Sequence, residues 1–188
     1  MQRHPENMEK VELYLSLGSN QGDRELNIEH AVSMLNIELG KPYKAISSLL
    51  ETEPWGFESD NSFLNAVCGV CTDLSPEETL RTTQEIERTL GRLKKSVNGV
   101  YSDRIIDIDI LLFDDWQINT PELTIPHPLM WERDFVKIPL KEIAPDINSE
   151  KTHERRVGEC SFTRSKLTTP AVKAKPKAVQ RHTTSPLP

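Results

Sequence analysis

Residues 104–113 have the sequence RIIDIDILLF, in which isoleucines alternate with aspartates before an apolar end. An alternation of two residues is typical of a β-strand whose two faces differ. The isoleucines are therefore predicted to share one face, with Asp107 and Asp109 on the other. Aspartate is disfavoured in strands, and two carboxylates about 7 Å apart on one face repel each other. A compensating group is expected beside them.

Magnesium suits this pair, because Mg²⁺ usually binds through one or two carboxylates together with substrate phosphates. Two such ions can align the atoms of an in-line phosphoryl transfer. The alternative is a solvent-facing strand on which the aspartates only maintain solubility. Arg104 lies three residues before Asp107 and the opposite face is apolar. These features favour metal binding.

The rest of the chain predicts an α+β fold built around this strand. Apolar periodicity predicts strands at 12–17, 43–52 and 63–72 and a helix at 24–39. A second helix, 75–90, begins with the capping sequence S-x-x-E. The β-α-β-β-α-β order predicts a ferredoxin-like core. In it, both helices pack on one face of an antiparallel sheet, within a three-layer α/β/α sandwich. A hairpin at 118–125 and helical turns broken by prolines at 126–145 follow.

The 188 residues are predicted to form a lead (1–10), one domain (11–150) and a basic tail (151–188). Net charge distinguishes the tail from the rest of the chain. The tail carries nine Lys or Arg against two Asp or Glu, a net charge of +7, which leaves −13 for residues 1–150. The tail lacks periodicity and is predicted to be disordered. The acidic domain would repel phosphate backbones, so no nucleic-acid partner is expected.

The sequence predicts neither a membrane-spanning segment nor a secretion signal. There is no apolar run long enough for a span, and the first residues lack a signal-peptide core. Three cysteines are an odd number, and Cys68 and Cys71 lie inside a predicted strand with no second pair of metal-ligand residues after them. We therefore expect a reduced, cytoplasmic protein, working as a monomer.

Two further groups of residues carry chemistry. His127 lies between two prolines, with Arg133 six residues later. The prolines restrict the backbone here, so the two side chains could be positioned to bind the oxygens of a polyphosphate. They could equally be surface residues of a turn. Phe63 and Asn65 share a strand face, where an aromatic plate and an amide could grip a flat heterocycle. An ordinary core phenylalanine and an edge asparagine would look the same.

Seven segments, in order, resemble the 6-hydroxymethyl-7,8-dihydropterin pyrophosphokinase family of folate biosynthesis. They are LGSN (17–20), TEPWGF (52–57), FLNAV (63–67), IERTLGR (86–92), DRIIDIDILLF (103–113), IPHPLMWERDF (125–135) and PLKEIAPDI (139–147). The resemblance implies an ATP-dependent diphosphotransferase. Such an enzyme moves the pyrophosphoryl unit of ATP to the hydroxymethyl oxygen of the pterin and releases AMP.

The resemblance also implies roles for individual residues. Two Mg²⁺ ions would bind between ATP and Asp107 and Asp109. The implied catalytic residues are Arg92, Arg104, Asp107 and Asp109. Those implied in nucleotide binding are Gln84, Glu87, Lys94, Tyr101, Arg104, Ile110, His127 and Arg133. Those implied in pterin binding are Thr52, Pro54, Trp55, Phe63, Asn65, Asp107 and Phe135. Ser102-Asp103-Arg104 departs from the common Gly-Pro-Arg, and Lys94 and Tyr101 replace frequent Arg and Trp residues, so the contacts of the 93–103 loop are open.

Two rival interpretations can be weighed against this resemblance. A nucleotidyltransferase of the polymerase β type also combines Gly-Ser with Asp-x-Asp, but places the two close together. Here Gly18 and Asp107 are 89 residues apart. The other rival is a non-catalytic ferredoxin-like module that binds a ligand or RNA. The core lacks the basic and aromatic strand signature of RNA recognition motifs.

Overall fold

The computed structural model describes residues 11–39, 43–92 and 102–147, and the backbone of 172–173. Its elements, in chain order, are β1 (Val11–Ser19), α1 (Arg24–Glu38), β2 (Ala45–Ile46), β3 (Leu49–Thr52), β4 (Phe63–Thr72), α2 (Pro76–Thr89), β5 (Asp107–Phe113), β6 (Ile118–Asn119), β7 (Thr124–Ile125), α3 (Asp134–Ile143) and β8 (Val172–Lys173).

One sheet organises the domain, with strand order β5-β1-β4-β3-β8 and β2 paired to β4. Strand β1 lies between β4 and β5 and is antiparallel to both. The sheet order and the β-α-β-β-α-β sequence of elements confirm the predicted ferredoxin-like core. Among the described strands, β5 forms one edge of the sheet.

The two faces of the sheet are covered by different helices. On one face, Leu13, Leu15 and Leu17 of β1 form the main core with apolar residues of α1 and α2. On the other, Val67 packs in a second cluster that includes Val136 and Leu140 of α3. The predicted three-layer sandwich is therefore confirmed. Alternation along the strands decides which face each apolar residue joins.

Several predicted boundaries differ from the structure. The strand predicted at 43–52 is split into β2 and β3, because Ser47 leaves the regular ladder and pairs with Val67 through both its backbone N–H and its hydroxyl. The strand predicted at 104–113 is β5, which begins at Asp107. The region 126–145 contains a continuous helix, α3, which tolerates Pro139 in its interior. The predicted hairpin is confirmed as β6 and β7.

An irregularity in β5 is a feature that sequence alternation did not predict. The register against β1 shifts between Tyr14 and Leu15, so that Leu15 faces Ile110 while Tyr14 faces Leu112. Leu111 is the extra residue, and it joins Leu112 in the second cluster, on the α3 side. Such a bulge twists the strand and resets its alternation after the aspartates.

Some sequence predictions are only partly covered by the described residues. Residues 1–10 and most of 151–188 lie outside them, and so does the predicted disorder of the tail. Within the tail the structure describes only residues 172–173, which form β8 and pair in parallel with β3. Cys68 is a free, buried thiol. Among the described residues, no helix is long and apolar enough to cross a membrane.

Helix α2 carries two of the predicted site residues, and its start is secured by a capping box. The Ser75 hydroxyl accepts a hydrogen bond from the Glu78 backbone N–H at 3.2 Å, and the Glu78 carboxylate accepts one from the Ser75 N–H at 2.9 Å. We expect Ser75→Ala to lower the free energy of unfolding by about 1 kcal/mol. Urea denaturation measures this. Thr89→Ala, at an exposed position at the other end of α2, is the matched control, and equal losses in the two variants would contradict the capping role.

Candidate active site

A pocket of about 270 Å³ opens on the α3 face of the sheet and continues past the edge strand β5 to α2. Strands β1, β4 and β5 supply its floor, the start of α3 one wall and the second half of α2 another. The connection between β3 and β4 covers the remaining side. The pocket thus collects residues from most of the domain's length.

Asp107 and Asp109 both line this pocket, as the alternation of β5 predicts. The carboxylate of Asp107 pairs with the guanidinium groups of Arg92 and Arg104, the latter at 2.9 Å. Asp109 is less tightly held, with its Oδ2 atom 3.9 Å from the Arg133 guanidinium. The expected compensation for the two aspartates therefore comes, in this structure, from three arginines.

Glu87 anchors this charge cluster to α2. Its carboxylate accepts a hydrogen bond from the Ile108 backbone N–H at 2.7 Å and also pairs with Arg92. Arg92 thus bridges Glu87 and Asp107, and α2 is joined directly to the strand that carries the aspartates. Burial raises the pKa of the Glu87 carboxyl, an effect that the nearby Arg92 charge opposes.

The acidity of Asp109 is also altered by its surroundings. Burial of the carboxyl in the pocket raises its pKa, and the negative charge of Asp107 raises the pKa further. About 40% of the side chain's surface nevertheless remains accessible, so the carboxylate can be reached by a ligand. Asp109 is repelled by a like charge and its cationic partner is 3.9 Å away, so an added cation would stabilise its ionised form.

His127 presents a neutral imidazole to the pocket. Burial and the neighbouring positive charge of Arg133 lower its pKa to about 4. The Leu129 backbone N–H donates to Nδ1 at 3.2 Å, so the proton of the neutral ring is on Nε2. His127 is therefore a hydrogen-bond donor toward the pocket without a charge of its own.

Aromatic side chains form the other half of the pocket. Phe57 meets Phe63 edge to face, with ring centroids 6.1 Å apart. The Arg104 guanidinium lies 5.1 Å from the Phe63 ring centroid, and the Arg133 guanidinium lies 4.7 Å from that of Trp55. Cations thus cover aromatic faces that a flat ligand could use, and such contacts are weak enough to be exchanged.

Asn65 is held in a fixed orientation beneath these rings. Its amide nitrogen donates to the Thr52 hydroxyl at 2.9 Å and to the Leu50 carbonyl at 3.3 Å. Its amide oxygen approaches Gly18, where a Cβ atom would lie only 3.2 Å from it. Glycine at 18 therefore leaves room for the amide to remain in the pocket floor.

Most of the predicted site residues come together in the pocket. Those that line it are Thr52, Trp55, Phe63, Asn65, Gln84, Glu87, Arg92, Arg104, Asp107, Asp109, His127, Arg133 and Phe135. Pro54 does not line it. Ile110 does not either, because it is on the opposite face from Asp109 and packs in the main core, so its predicted nucleotide contact is not supported. Lys94 and Tyr101 lie outside the described residues.

Several lining residues were missed by the sequence reasoning. Ser16, Gly18 and Phe57 belong to this group, as do Leu80 and Thr83 of α2. Gly18 and Phe57 lie within quoted motifs, which could have suggested them. Leu80 and Thr83 carry no such signal, since only the packing of α2 beside β5 brings them to the pocket.

The pocket is suited to magnesium in one specific way. The described residues contain no cluster of three or more side chains that could enclose a metal ion. They do offer two carboxylates on one strand face, and Mg²⁺ commonly completes its shell with substrate phosphates and water. The donor set therefore fits Mg²⁺ that arrives with a polyphosphate. It does not fit a metal enclosed by protein ligands alone.

This arrangement defines a class of protein. Paired carboxylates surrounded by arginines, next to a rigid aromatic pocket, are typical of an enzyme that handles a polyphosphate and a flat second substrate. The family model for 7,8-dihydro-6-hydroxymethylpterin-pyrophosphokinase (HPPK) matches residues 14–145. The chain therefore belongs to the 7,8-dihydro-6-hydroxymethylpterin-pyrophosphokinase family.

Curated relatives agree with this assignment. The 2-amino-4-hydroxy-6-hydroxymethyldihydropteridine pyrophosphokinase of Porphyromonas gingivalis is 51% identical over 139 residues, which cover 73% of this chain and 94% of that protein. The Bacillus subtilis protein of the same name is 42% identical over 139 residues, covering 74% of this chain and 81% of that protein.

Solved structures support the fold. A Plasmodium falciparum HPPK-DHPS wild-type structure superposes with a TM-score of 0.56 at 17% identity, over 73% of this chain. An HPPK-DHPS structure in complex with substrates gives 0.59 at 16% identity, over 78% of this chain. The chain spans only 42% of the length of each of these proteins.

The neutral state of His127 has a consequence for stability. In the folded protein its pKa is about 4, against 6.5 for an unperturbed histidine, so the unfolded chain binds more protons between these values. The free energy of unfolding therefore falls as the pH is lowered from 6.5 toward 4. We expect the wild type to lose stability more steeply over this window than His127→Gln.

Urea denaturation at several pH values measures this difference. Because Asp109 titrates in both proteins, its contribution largely cancels in the comparison. His30→Gln, at an exposed position on α1, is the matched control. Parallel pH profiles for wild type and His127→Gln would contradict the neutral, buried state of the ring.

Proposed function

We propose that this pocket transfers the pyrophosphoryl unit of ATP to 6-hydroxymethyl-7,8-dihydropterin, with release of AMP, as a step of folate biosynthesis. Family membership supports the pyrophosphokinase activity. The observation that carries the residue-level proposal is that one pocket joins the Asp107–Asp109 pair to an aromatic half. A polyphosphate and a flat heterocycle could thereby lie end to end.

The basic side chains would hold the triphosphate. Arg92, Arg104 and Arg133 approach the aspartates from three different segments, and His127 adds a neutral donor. Arginine provides planar, paired donors for phosphate oxygens. The side of the pocket formed by α2, with Gln84, would receive the rest of the nucleotide. Lys94 and Tyr101 stay predicted contacts of the same nucleotide.

Asp107 and Asp109 would hold Mg²⁺, two ions in the proposal, in combination with oxygens of the triphosphate. Bound Mg²⁺ would neutralise triphosphate charge and fix the orientation of the phosphates. As the arginines now paired with Asp107 turned to phosphate oxygens, the carboxylate would become available to the metal. After the exchange Asp107 would have Mg²⁺ beside it, and the phosphates would have arginine.

The aromatic half would hold the pterin. Phe63 and Phe135 would stack on the two faces of its ring, with Trp55 beside them, while Asn65 and the Thr52 segment would read its polar edge. Arg104 covers the Phe63 ring and would have to leave that face when the pterin binds. The acceptor oxygen would then lie near the aspartates, so that catalysis consists largely of positioning and electrostatic stabilisation.

We also propose that the protein acts as a monomer in the cytoplasm, where ATP is available. The RNA-binding alternative is not favoured by the family assignment. No observation favours a second function over pyrophosphoryl transfer.

The first test measures AMP formed from ATP and 6-hydroxymethyl-7,8-dihydropterin in the presence of Mg²⁺. We expect Asp107→Asn and Asp109→Asn each to reduce turnover by about 10²–10³-fold, because each removes a carboxylate that would hold the Mg²⁺ that stabilises the reacting phosphates. Asp115→Asn, at an exposed position after β5, is the matched control. Turnover in either site variant equal to that of the control would rule out the metal-binding role.

Metal removal gives a second readout that does not need turnover. Calorimetric binding of a non-hydrolysable ATP analogue to wild type should weaken when EDTA removes Mg²⁺. In Asp107→Asn and Asp109→Asn the affinity should respond much less to EDTA, since the carboxylates that link metal and protein are altered. An equal response in all three proteins would place the metal elsewhere.

Pterin stacking is tested without nucleotide. Stacking of a flat ring on an aromatic side chain contributes about 1–3 kcal/mol, so Phe63→Ala should weaken pterin binding by roughly 5- to 150-fold. Equilibrium titration followed by pterin fluorescence measures the affinity. Trp116→Ala, at an exposed aromatic beyond the far end of β5, should bind as the wild type does. Unchanged affinity in Phe63→Ala would exclude Phe63 from the pterin site.

A further inference from the structure

Asp103 joins three segments that are far apart in the sequence. Its Oδ1 atom accepts hydrogen bonds from the Ser59 hydroxyl at 2.6 Å and from the Asn20 amide at 2.7 Å. Its Oδ2 atom accepts one from the Asn61 amide at 2.7 Å. Three donors on one carboxylate are more than an incidental surface contact requires. Asp103 itself is not among the residues that line the pocket.

Asn20 forms a second connection to the same segment. Its side-chain oxygen accepts a hydrogen bond from the Arg104 backbone N–H at 2.8 Å, and its own backbone N–H donates to the Arg104 carbonyl at 3.1 Å. The backbone of Arg104 is therefore bound on both sides to the turn after β1. The carboxylate of the preceding residue extends this connection to the chain between β3 and β4.

The joined segments form two sides of the pocket. The 53–62 connection, which contains Ser59 and Asn61, also carries Trp55 and Phe57 to the pocket. Arg104, next to Asp103, lies over the Phe63 ring and pairs with Asp107. Asp103 thus helps to set the position of the aromatic side relative to the Arg104 side, together with the hydrogen bonds from Arg24 to Ser62 and from the Asn20 amide to the Asn61 carbonyl.

The chemistry of the carboxylate suits this task. The hydrogen bond from Ser59, with those from Asn20 and Asn61, lowers the pKa of Asp103, so the group is ionised at neutral pH. Hydrogen bonds to an ionised acceptor are shorter and stronger than neutral ones. Neither an alanine nor an apolar side chain could accept any of the three.

We propose that Asp103 is a positioning residue that fastens the 53–62 connection to the Arg104 segment and so preorganises the pterin half of the active site. The role rests on the proposed function, because it is the pterin that this half would receive. Asp103 would touch neither substrate. Its loss would therefore act on the placement of Trp55 and Phe57. Arg104 would keep its backbone hydrogen bonds to Asn20 and its ion pair with Asp107, so the phosphate-binding side would stay in place.

The kinetic test compares Asp103→Ala with Asp115→Ala, which removes an exposed aspartate after β5. We expect KM for the pterin to rise roughly tenfold in Asp103→Ala, with KM for ATP within about twofold of wild type. Asp103→Asn keeps one acceptor oxygen for Ser59 and Asn20 and should recover part of the loss. A pterin KM equal to that of Asp115→Ala, or equal rises in both KM values, would overturn the proposal.

Hydrogen exchange tests the same connection without any activity. In Asp103→Ala, amide protons of residues 53–62 should exchange faster, while those of β4 should be unchanged. Exchange at wild-type rates in 53–62, or an equal rise in β4, would overturn the positioning role. If the wild type released no AMP, the proposed function would fail, and exchange would still decide whether Asp103 fastens the connection.

A second variant keeps the test decisive if Asp103→Ala does not fold. The double variant Ser59→Ala/Asn61→Ala removes the two donors on the 53–62 side and leaves Asp103 with Asn20. It should show the same rise in pterin KM and the same faster exchange. Wild-type behaviour in a folded double variant would overturn the proposal.

Discussion

Two neighbouring carboxylates on an edge strand need positive charge beside them, and much of the domain is arranged to provide it. Asp107 and Asp109 point to the same side of β5, where burial and the negative charge of Asp107 raise the pKa of Asp109. Arg92, Arg104 and Arg133 come from the end of α2, the segment before β5 and the start of α3. When those three segments pack onto the sheet, their arginines therefore also offset the repulsion between the two carboxylates.

The same constraint explains why the pocket has two chemical halves. Under the proposed function, an arginine that neutralises a carboxylate in the free protein would bind phosphate once the nucleotide is present. Arg104 contacts Asp107 and also covers the Phe63 ring, so it links the acidic half to the aromatic half. The proposed connection through Asp103 would determine how closely those halves approach each other.

Local sequence predicted the structure correctly where a short pattern within one element is sufficient. The alternation in 104–113 correctly separated the aspartates from the isoleucines, and the capping sequence at Ser75 correctly marked the start of α2. The split between β2 and β3 could not be read in this way, because it depends on the partner that Ser47 finds on β4. The bulge at Leu111 likewise arises from register against β1.

The amino-acid sequence by itself determined the order of elements, the pairing of Asp107 with Asp109 on one face, and the family. These follow from periodicity and motifs, which are local properties of the chain. Tertiary structure alone decided that Ile110 joins the core, that Leu80 and Thr83 border the pocket, and which cation meets which anion. The physical reason is that such contacts join residues distant in sequence, and their geometry exists only once the sheet and its three helices have packed.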